Sequence, residues 1–316
     1  MSLNLPIPSP VITAFYTIAS PIAGLVSPLL VDGKRIERIK NVAYGADPAQ
    51  RLDVYLPRAR DSGPLPVALF IHGGGFRYFS KNSHAAAAAR LAESGRIVFC
   101  IDYRLAPRHP YPHGLADAAK AYAWIVEKAG NYGGNAERIS LVGESSGAGF
   151  VTSLAVYLAG IAKFPAGADA PEPPKVWPKA VVAHCGFFEV TDGSRFDGDR
   201  RLFPAARTRV EQIRSNYVPE FRAEKSADYA LADPHLALGA LSALPAGFPE
   251  FFVPVGAKDP VIGDSERFAE TLAKLGQRDR LKVYPGVGHA FYAAPSGAQA
   301  KICWNDIVAF LDGAKA

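Results

Sequence analysis

Short apolar runs alternate with longer helix-forming segments along most of the chain. Val67–Ile71, Ile97–Ile101 and Ile139–Val142 are mainly apolar over four or five residues, which is typical of strands buried on both faces of a parallel sheet. Further strands are predicted at Ala180–His184, Phe251–Val255 and Leu281–Tyr284, and helices at Ser83–Glu93, His113–Ala129, Ala148–Leu158, Ser265–Leu275 and Ala298–Leu311. This order predicts an α/β domain with a mostly parallel central sheet and helices on both faces.

Two parts of the chain do not follow this alternation. Ile36–Tyr44 and Arg51–Leu56 have the alternating pattern of two antiparallel strands, so we expect a mixed sheet. Between Glu189 and Leu244 the charges cluster, one helix is predicted at Ala205–Tyr217, and no buried strand is predicted. We therefore divide the chain into an N-terminal cap or lid segment (1–40), a core in two parts (41–188 and 245–316) and a cap insertion (189–244).

The first 31 residues carry no charge and are largely apolar. A signal peptide would need a basic segment and a compact apolar core, and neither is present, so we predict a cytoplasmic protein. Pro21 and Pro28 disfavour a membrane-spanning helix. We expect a lid helix at about Val11–Ile22 that packs on the domain, with association with a membrane surface as the alternative.

Composition excludes several classes of function. The net charge is +5 in 316 residues, and no long basic run is interleaved with aromatic residues, so no nucleic-acid partner is expected. Three cysteines (Cys100, Cys185 and Cys303) lie in apolar segments without the spacing of a metal site, and we interpret them as buried thiols. No cofactor and no metal is predicted. A homodimer remains an open alternative.

The heptapeptide Leu141–Gly147 contains the pattern Gly-x-Ser-x-Gly, with Ser145 at its centre. An apolar strand precedes it and a helix-forming segment follows it, which is the setting of a nucleophilic serine on a tight strand-to-helix turn. The helix dipole at such a turn favours negative charge that develops near the serine. The alternative is an ordinary turn with a serine that faces solvent.

A serine nucleophile needs a base, and the base needs an acid that orients it. His289 is the last histidine of the chain and follows a predicted strand across a glycine-punctuated loop. Asp259 lies in the loop after the preceding strand, where the acid is expected. Two other carboxylates compete for this role. Glu144 adjoins the nucleophile but is poorly placed to reach His289, and Asp264 is accounted for as the N-cap of a helix.

The segment His72-Gly-Gly-Gly-Phe76 directly follows the predicted strand Val67–Ile71. Its three glycines allow the backbone to approach a substrate closely and to direct N–H groups at an oxyanion. The companion donor would be the N–H group of Ser146, the residue after the nucleophile.

Five motifs in one order carry a resemblance to a known family. They are His72-Gly-Gly-Gly-Phe, Asp102-Tyr-Arg-Leu-Ala-Pro, Gly143-Glu-Ser-Ser-Gly, Asp259-Pro-Val and Gly288-His-Ala-Phe. Together they resemble the hormone-sensitive-lipase-like branch of the α/β hydrolases, also called bacterial family IV esterases. The resemblance implies an α/β-hydrolase fold with a helical cap, Ser145 as nucleophile, His289 as base and Asp259 as acid. It also implies an oxyanion hole of the N–H groups of Gly74, Gly75 and Ser146.

The predicted activity is hydrolysis of a small-molecule carboxylic ester through an acyl-enzyme, and the family favours short acyl chains. Glu144 and Ser146 depart from the family's usual Gly-Asp-Ser-Ala-Gly, which leaves the subfamily and the substrate open. An amide or formamide hydrolase with the same triad and a ligand-binding protein on the same scaffold remain as alternatives. The aromatic residues expected to line the pocket are Phe15, Tyr16, Phe76, Phe79, Phe187 and Phe188.

Overall fold

Eight strands form one sheet in the computed structural model, which describes residues 9–59, 63–294 and 297–313. The strands are β1 (Ile36–Ala43), β2 (Arg51–Pro57), β3 (Leu65–Ile71), β4 (Ile97–Ile101), β5 (Gly134–Glu144), β6 (Ala180–His184), β7 (Glu250–Gly256) and β8 (Leu281–Tyr284). Their order across the sheet is β1-β2-β4-β3-β5-β6-β7-β8. β1 and β2 pair antiparallel, β2 pairs antiparallel with β4, and all other pairs are parallel. The predicted α/β class and mixed sheet are confirmed.

Helices cover both faces of the sheet. The helices are α1 (Ser9–Val26), α2 (Ala85–Ala92), α3 (His113–Lys128), α4 (Ser146–Leu158), α5 (Pro204–Tyr217), α6 (Pro234–Gly239), α7 (Ile262–Lys274) and α8 (Ala298–Gly313). Alternate side chains of β3 enter different cores: Val67 and Leu69 belong to the core that includes residues of α3, α4 and α7, whereas Ala68 and Phe70 belong to the core that includes residues of α2 and α8. This alternation explains why the central strands are apolar throughout.

The parallel arrangement brings four loops to one edge of the sheet, because the carboxyl ends of parallel strands point the same way. The glycine loop 72–76 follows β3, and Ser145 follows β5. Asp259 follows β7, and His289 follows β8. The fold therefore gathers residues that are up to 217 positions apart in the sequence, from His72 to His289, at a single rim.

The leader helix is longer than the sequence suggested. We expected Val11–Ile22, but α1 continues through Pro21 to Val26, and a 3-10 turn follows at Ser27–Leu30. The 18-residue stretch Thr13–Leu30 has a mean hydropathy of 1.4, long and apolar enough to cross a membrane, and none of it is buried. The segment 189–244, all of which is described, contains no strand and has α5 at the predicted position; α6 was not predicted.

A buried ion pair connects the cap insertion (189–244) to the core. The side chains of Arg195 and Asp264 are only 5% and 1% exposed, and the guanidinium donates two hydrogen bonds to the carboxylate, at 2.9 and 3.0 Å. Arg267, one turn further along α7, also donates to Asp264. The expectation that Asp264 is an N-cap is therefore wrong: α7 begins at Ile262, and the Asp264 carboxylate is held by arginines instead of by backbone N–H groups.

Candidate active site

Ser145 lies on the sharp turn between β5 and α4. Its backbone has φ 54° and ψ −119°, a combination that costs about 1–3 kcal/mol and is maintained only by the surrounding structure. Gly143 and Gly147 make the turn sterically feasible. A Cβ atom at Gly143 would lie 2.3 Å from the carbonyl oxygen of Gly147, and one at Gly147 would lie 2.2 Å from that of Ile71. The two glycines of the motif therefore allow β5, the turn that follows it and β3 to approach one another closely.

The imidazole of His289 bridges Ser145 and Asp259. Its Nε2 atom is 3.0 Å from the Ser145 Oγ atom, and its Nδ1 atom is 2.8 Å from the Asp259 Oδ2 atom. The other carboxylate oxygen of Asp259 accepts the N–H group of Val261 at 2.9 Å, which fixes the carboxylate in place. Of the three acid candidates in the sequence, Asp259 is the one that contacts His289. The structure thus brings together all three residues that the sequence selected.

The surroundings of His289 favour its protonated form. Partial desolvation of the ring, 32% of whose side chain is exposed, opposes the charge. The neighbouring Cys185 and the Asp259 carboxylate outweigh this effect, and the pKa of His289 lies well above its ordinary value. The potential ligand atoms of Cys185, Asp259 and His289 lie within 4.8 Å of one another. A metal ion there would have to replace the hydrogen bond between Nδ1 and Asp259. The arrangement is therefore better suited to proton transfer than to metal binding.

The glycine loop passes beside the nucleophile with its N–H groups free. Gly74 has φ 119° and Gly75 has φ 64°, so the loop has a conformation that L-residues rarely adopt. Within residues 9–59, 63–294 and 297–313, no protein oxygen accepts a hydrogen bond from the N–H group of Gly74, Gly75 or Ser146. Three backbone donors near one serine form an arrangement that can hold an oxyanion.

Arg209 supports this loop from α5. Its Nη2 atom donates to the carbonyl oxygen of Gly74 at 3.3 Å, and its Nη1 atom donates to Gln212 at 2.8 Å. The guanidinium lies 4.4 Å from the ring centroid of Tyr16 in α1 and 5.1 Å from that of Tyr78. Arg209 therefore links the leader helix, the insertion and the glycine loop. Nothing in the sequence around Arg209 indicates this role; the apolar spacing of Val210, Ile213 and Tyr217 indicates only which face of α5 is buried.

Glu144 stabilises the back of the site. Its carboxylate interacts with His84 Nε2 at 3.2 Å and accepts the hydroxyl of Tyr292 at 3.2 Å. Burial acts to raise the pKa of Glu144, but the hydrogen bond and charge of His84 and the other nearby histidines lower it to about 2. Glu144 is thus ionised at neutral pH, and its carboxylate connects the turn of the nucleophile with His84 and Tyr292. The sequence marked this position as a departure from the family motif and as a competitor for the acid role, and it did not indicate these contacts.

A cavity of about 690 Å³ opens above Ser145 and His289. Its wall includes Phe15 and Tyr16 from α1, Phe79, and Phe187, four of the six aromatic residues predicted to line a pocket. Residues of α5 and the 260–261 turn complete the apolar wall: Ala205, Ala206, Val210, Ile213, Pro260 and Val261. Both segments that the sequence assigned to a cap therefore contribute to the cavity.

Two of the predicted pocket residues lie elsewhere. Phe76 is stacked on Tyr217 with a centroid distance of 3.8 Å, and Phe188 is stacked on Phe268 at 4.1 Å. Both are almost fully buried and belong to the hydrophobic core. Placing them in the pocket was wrong, because proximity to a motif in sequence does not determine which side of the backbone a ring occupies.

Comparison with known proteins identifies the family. The α/β hydrolase fold family matches residues 68–293, most of the chain. Carboxylesterase NlhH of Mycobacterium tuberculosis is 29% identical over 286 residues, which cover 86% of this chain and 82% of that protein. Esterase LipC of the same organism is 30% identical over 263 residues, which cover 82% of this chain and 61% of that protein.

Solved structures agree on the fold. Esterase LipW from Mycobacterium marinum superposes with a TM-score of 0.76 at 21% identity, over 97% of this chain and 91% of that chain. The hyperthermophilic esterase from the archaeon Pyrobaculum calidifontis superposes with a TM-score of 0.72 at 24% identity, over 94% of this chain and 91% of that chain. The chain therefore belongs to the α/β hydrolase fold family, in the hormone-sensitive-lipase-like branch that its five motifs resemble.

Proposed function

We propose that this protein is a serine carboxylesterase in which Ser145 is the nucleophile, His289 the general base and Asp259 the orienting acid. The observation that carries the proposal is the position of the His289 ring, 3.0 Å from the Ser145 hydroxyl and 2.8 Å from the Asp259 carboxylate. The two relatives described above, which are named as esterases, support the same reaction class.

In the acylation step, neutral His289 accepts the Ser145 proton at Nε2 as Oγ attacks the ester carbonyl. Asp259 accepts a hydrogen bond from the protonated Nδ1 atom, which keeps Nε2 available as the base. The carbonyl oxygen becomes an oxyanion, and the N–H groups of Gly74, Gly75 and Ser146 would donate to it. Collapse of the intermediate expels the alcohol, which takes its proton from His289, and leaves an acyl group on Ser145.

In the deacylation step, His289 deprotonates a water molecule that attacks the acyl-enzyme. The second tetrahedral intermediate uses the same oxyanion hole, and its collapse releases the carboxylic acid and restores the Ser145 hydroxyl. Each proton removed by His289 is returned within the same half-reaction, so the ring is neutral again at the end of the cycle. No step in this scheme requires a cofactor.

The cavity supports a small apolar ester as the substrate. A volume of about 690 Å³ lies within the roughly 300–1,000 Å³ range of small-molecule sites. Apart from the residues around Ser145 and Arg209, the wall consists mainly of aromatic and aliphatic side chains. We accordingly expect short-chain and small apolar acyl groups to be accepted.

The test compares p-nitrophenyl butyrate with the matching butyryl anilide, for the wild type and for Ser145→Ala. The proposal predicts ester hydrolysis by the wild type, slow or absent anilide hydrolysis, and a loss of at least about 10³-fold in kcat for the variant. Faster anilide hydrolysis than ester hydrolysis would favour an amidase. A variant that keeps kcat within tenfold of wild type would exclude Ser145 as the nucleophile.

A further inference from the structure

The leader helix α1 turns a side with small hydroxyl residues toward the domain and an apolar side toward solvent, which is the reverse of the usual arrangement. Surface helices normally turn an apolar stripe toward the core and a polar face toward water. Three small hydroxyl residues, Thr13, Ser20 and Ser27, recur at intervals of seven and face the domain. The exposed large apolar residues of the helix, Val11, Phe15, Ile18, Ile22, Leu25 and Val26, lie on the opposite side.

Hydrogen bonds attach the polar side to the rest of the protein. Thr13 accepts a hydrogen bond from the side chain of Gln212 at 2.6 Å. The hydroxyl of Ser20 accepts the N–H group of Phe79 at 2.8 Å, and that of Ser27 accepts the N–H group of Ala86 at 3.0 Å. The orientation of the helix is thus determined by specific contacts along its length and along the turn after it.

The exposed side is a continuous apolar stripe with a 3-4 spacing. It consists of Val11, Phe15, Ile18, Ile22, Leu25 and Leu29, which are 54–82% exposed. In the described part of the chain, eight of the twelve exposed large hydrophobic side chains lie between Val11 and Leu30. So large a concentration on one element marks an interaction surface and not the scattered apolar residues of an ordinary surface.

The stripe is continuous with the cavity. Val11 and Phe15 belong both to the exposed stripe and to the wall of the cavity above Ser145. An apolar molecule that leaves the stripe at these residues reaches the nucleophile along an apolar path. This continuity favours an occupant that also contains or delivers the substrate.

The chemistry of the segment favours lipid over a second copy of the chain. Paired helices usually carry charged residues beside their apolar seam, which set partner and register. No charged residue occurs from Met1 to Val31, and Thr13–Leu30 has the hydropathy of a membrane segment. Residues of α1 form part of the cavity wall, and its Tyr16 ring lies against the guanidinium of Arg209, so the helix is held on the protein surface. The helix would therefore lie along a lipid–water interface and not across the bilayer.

We propose that α1 and the turn after it dock on a lipid–water interface through this stripe, and that the natural substrate is an apolar ester dissolved in that interface. The second part rests on the proposed esterase function; the docking does not. In the docked state the mouth of the cavity faces lipid at Val11 and Phe15, so the ester need not cross water.

The test uses the double variant Leu25→Glu/Leu29→Glu. These two side chains are the most exposed of the stripe, and neither lines the cavity, so the variant should fold and hydrolyse monomeric p-nitrophenyl acetate like the wild type. The matched control is Leu236→Glu/Ile302→Glu, which adds the same charge at two exposed apolar positions on other helices. All three proteins are sedimented with vesicles of phosphatidylcholine and phosphatidylglycerol, and also assayed on p-nitrophenyl octanoate carried in those vesicles.

We expect the wild type and the control to bind vesicles, and the stripe variant to bind at least about tenfold more weakly. Hydrolysis of the vesicle-borne ester should fall in parallel for the stripe variant alone. A wild type that stays in the supernatant, or a stripe variant that binds equally well, overturns the docking. A wild-type dimer that binds no vesicles and that the stripe variant dissociates in analytical ultracentrifugation also overturns it, and assigns the face to a second copy.

Docking and hydrolysis can fail separately. Ser145→Ala should bind vesicles as the wild type does, because the stripe does not involve the nucleophile. Vesicle binding without hydrolysis of any ester by the wild type would support the docking and overturn the proposed function.

Discussion

Replacing Asp264 by asparagine should lower the stability of the protein and leave its catalysis intact. The substitution preserves the shape of the side chain but removes its negative charge. Arg195 then retains a buried positive charge without its carboxylate partner, since only 5% of its side chain is exposed. Because Arg195 belongs to the insertion and Asp264 to α7, the loss weakens the attachment of the insertion to the core.

The size of the effect follows from the burial of the pair. Breaking a buried ion pair by changing one partner costs about 3–5 kcal/mol. Unfolding entropy near the midpoint is about 2.1 cal/mol/K per residue, which for 316 residues gives about 0.66 kcal/mol/K. The expected decrease in Tm is therefore about 5–8 °C. Asp197→Asn is the matched control, because Asp197 pairs with Arg207 at the surface and its loss should cost at most about 1 kcal/mol.

Thermal unfolding by circular dichroism and kcat on p-nitrophenyl butyrate at 25 °C are the two measurements. Asp264→Asn should show the lowered Tm with kcat within about twofold of wild type, and Asp197→Asn should change neither by much. An unchanged Tm for Asp264→Asn would refute the argument from burial. A large loss of kcat at unchanged Tm would instead make Asp264 a functional acid.

Three further changes test the site itself. Asp259→Asn should lower kcat by about 10³–10⁴ with little change in Tm, because it favours the wrong tautomer of His289; an active variant would exclude Asp259 as the acid. Since His289 must be neutral to accept a proton and its pKa is raised, kcat/KM should decrease in acid with a midpoint above about 6.5; a profile that is flat from pH 5 to 8 would exclude a histidine base. Arg209→Met should lower kcat by up to about 10²-fold with a smaller change in KM, because the carbonyl of Gly74 loses its donor; equal kcat in wild type and variant would show that the glycine loop holds its shape alone.

The sequence was most informative where the chemistry is local. A tight strand-to-helix turn requires small residues at fixed positions, so Gly143, Ser145 and Gly147 could be interpreted from spacing alone. The parallel sheet then explains why His289 and Asp259, which follow later strands, reach the same rim. These predictions needed only the order of the strands and the loops that follow them.

The sequence was least informative where apolar residues or charges have more than one use. Core and pocket both take aromatic rings, and so nothing in the sequence separates Phe76, which is buried, from Phe79, which lines the cavity. Asp264 has a suitable position for a cap, but its partner Arg195 is 69 residues away, and only the fold brings the two together. The periodicity of α1 likewise indicates two faces without showing which one contacts the domain.

Active-site labelling with a fluorophosphonate, followed by mass mapping of the labelled peptide, tests directly whether Ser145 is the nucleophile and His289 its base. We expect one adduct on Ser145, none in Ser145→Ala, and labelling of His289→Gln slowed by at least about 10²-fold, because the serine then lacks its base. An adduct on another residue, or labelling of His289→Gln at the wild-type rate, would contradict the Ser145–His289–Asp259 triad.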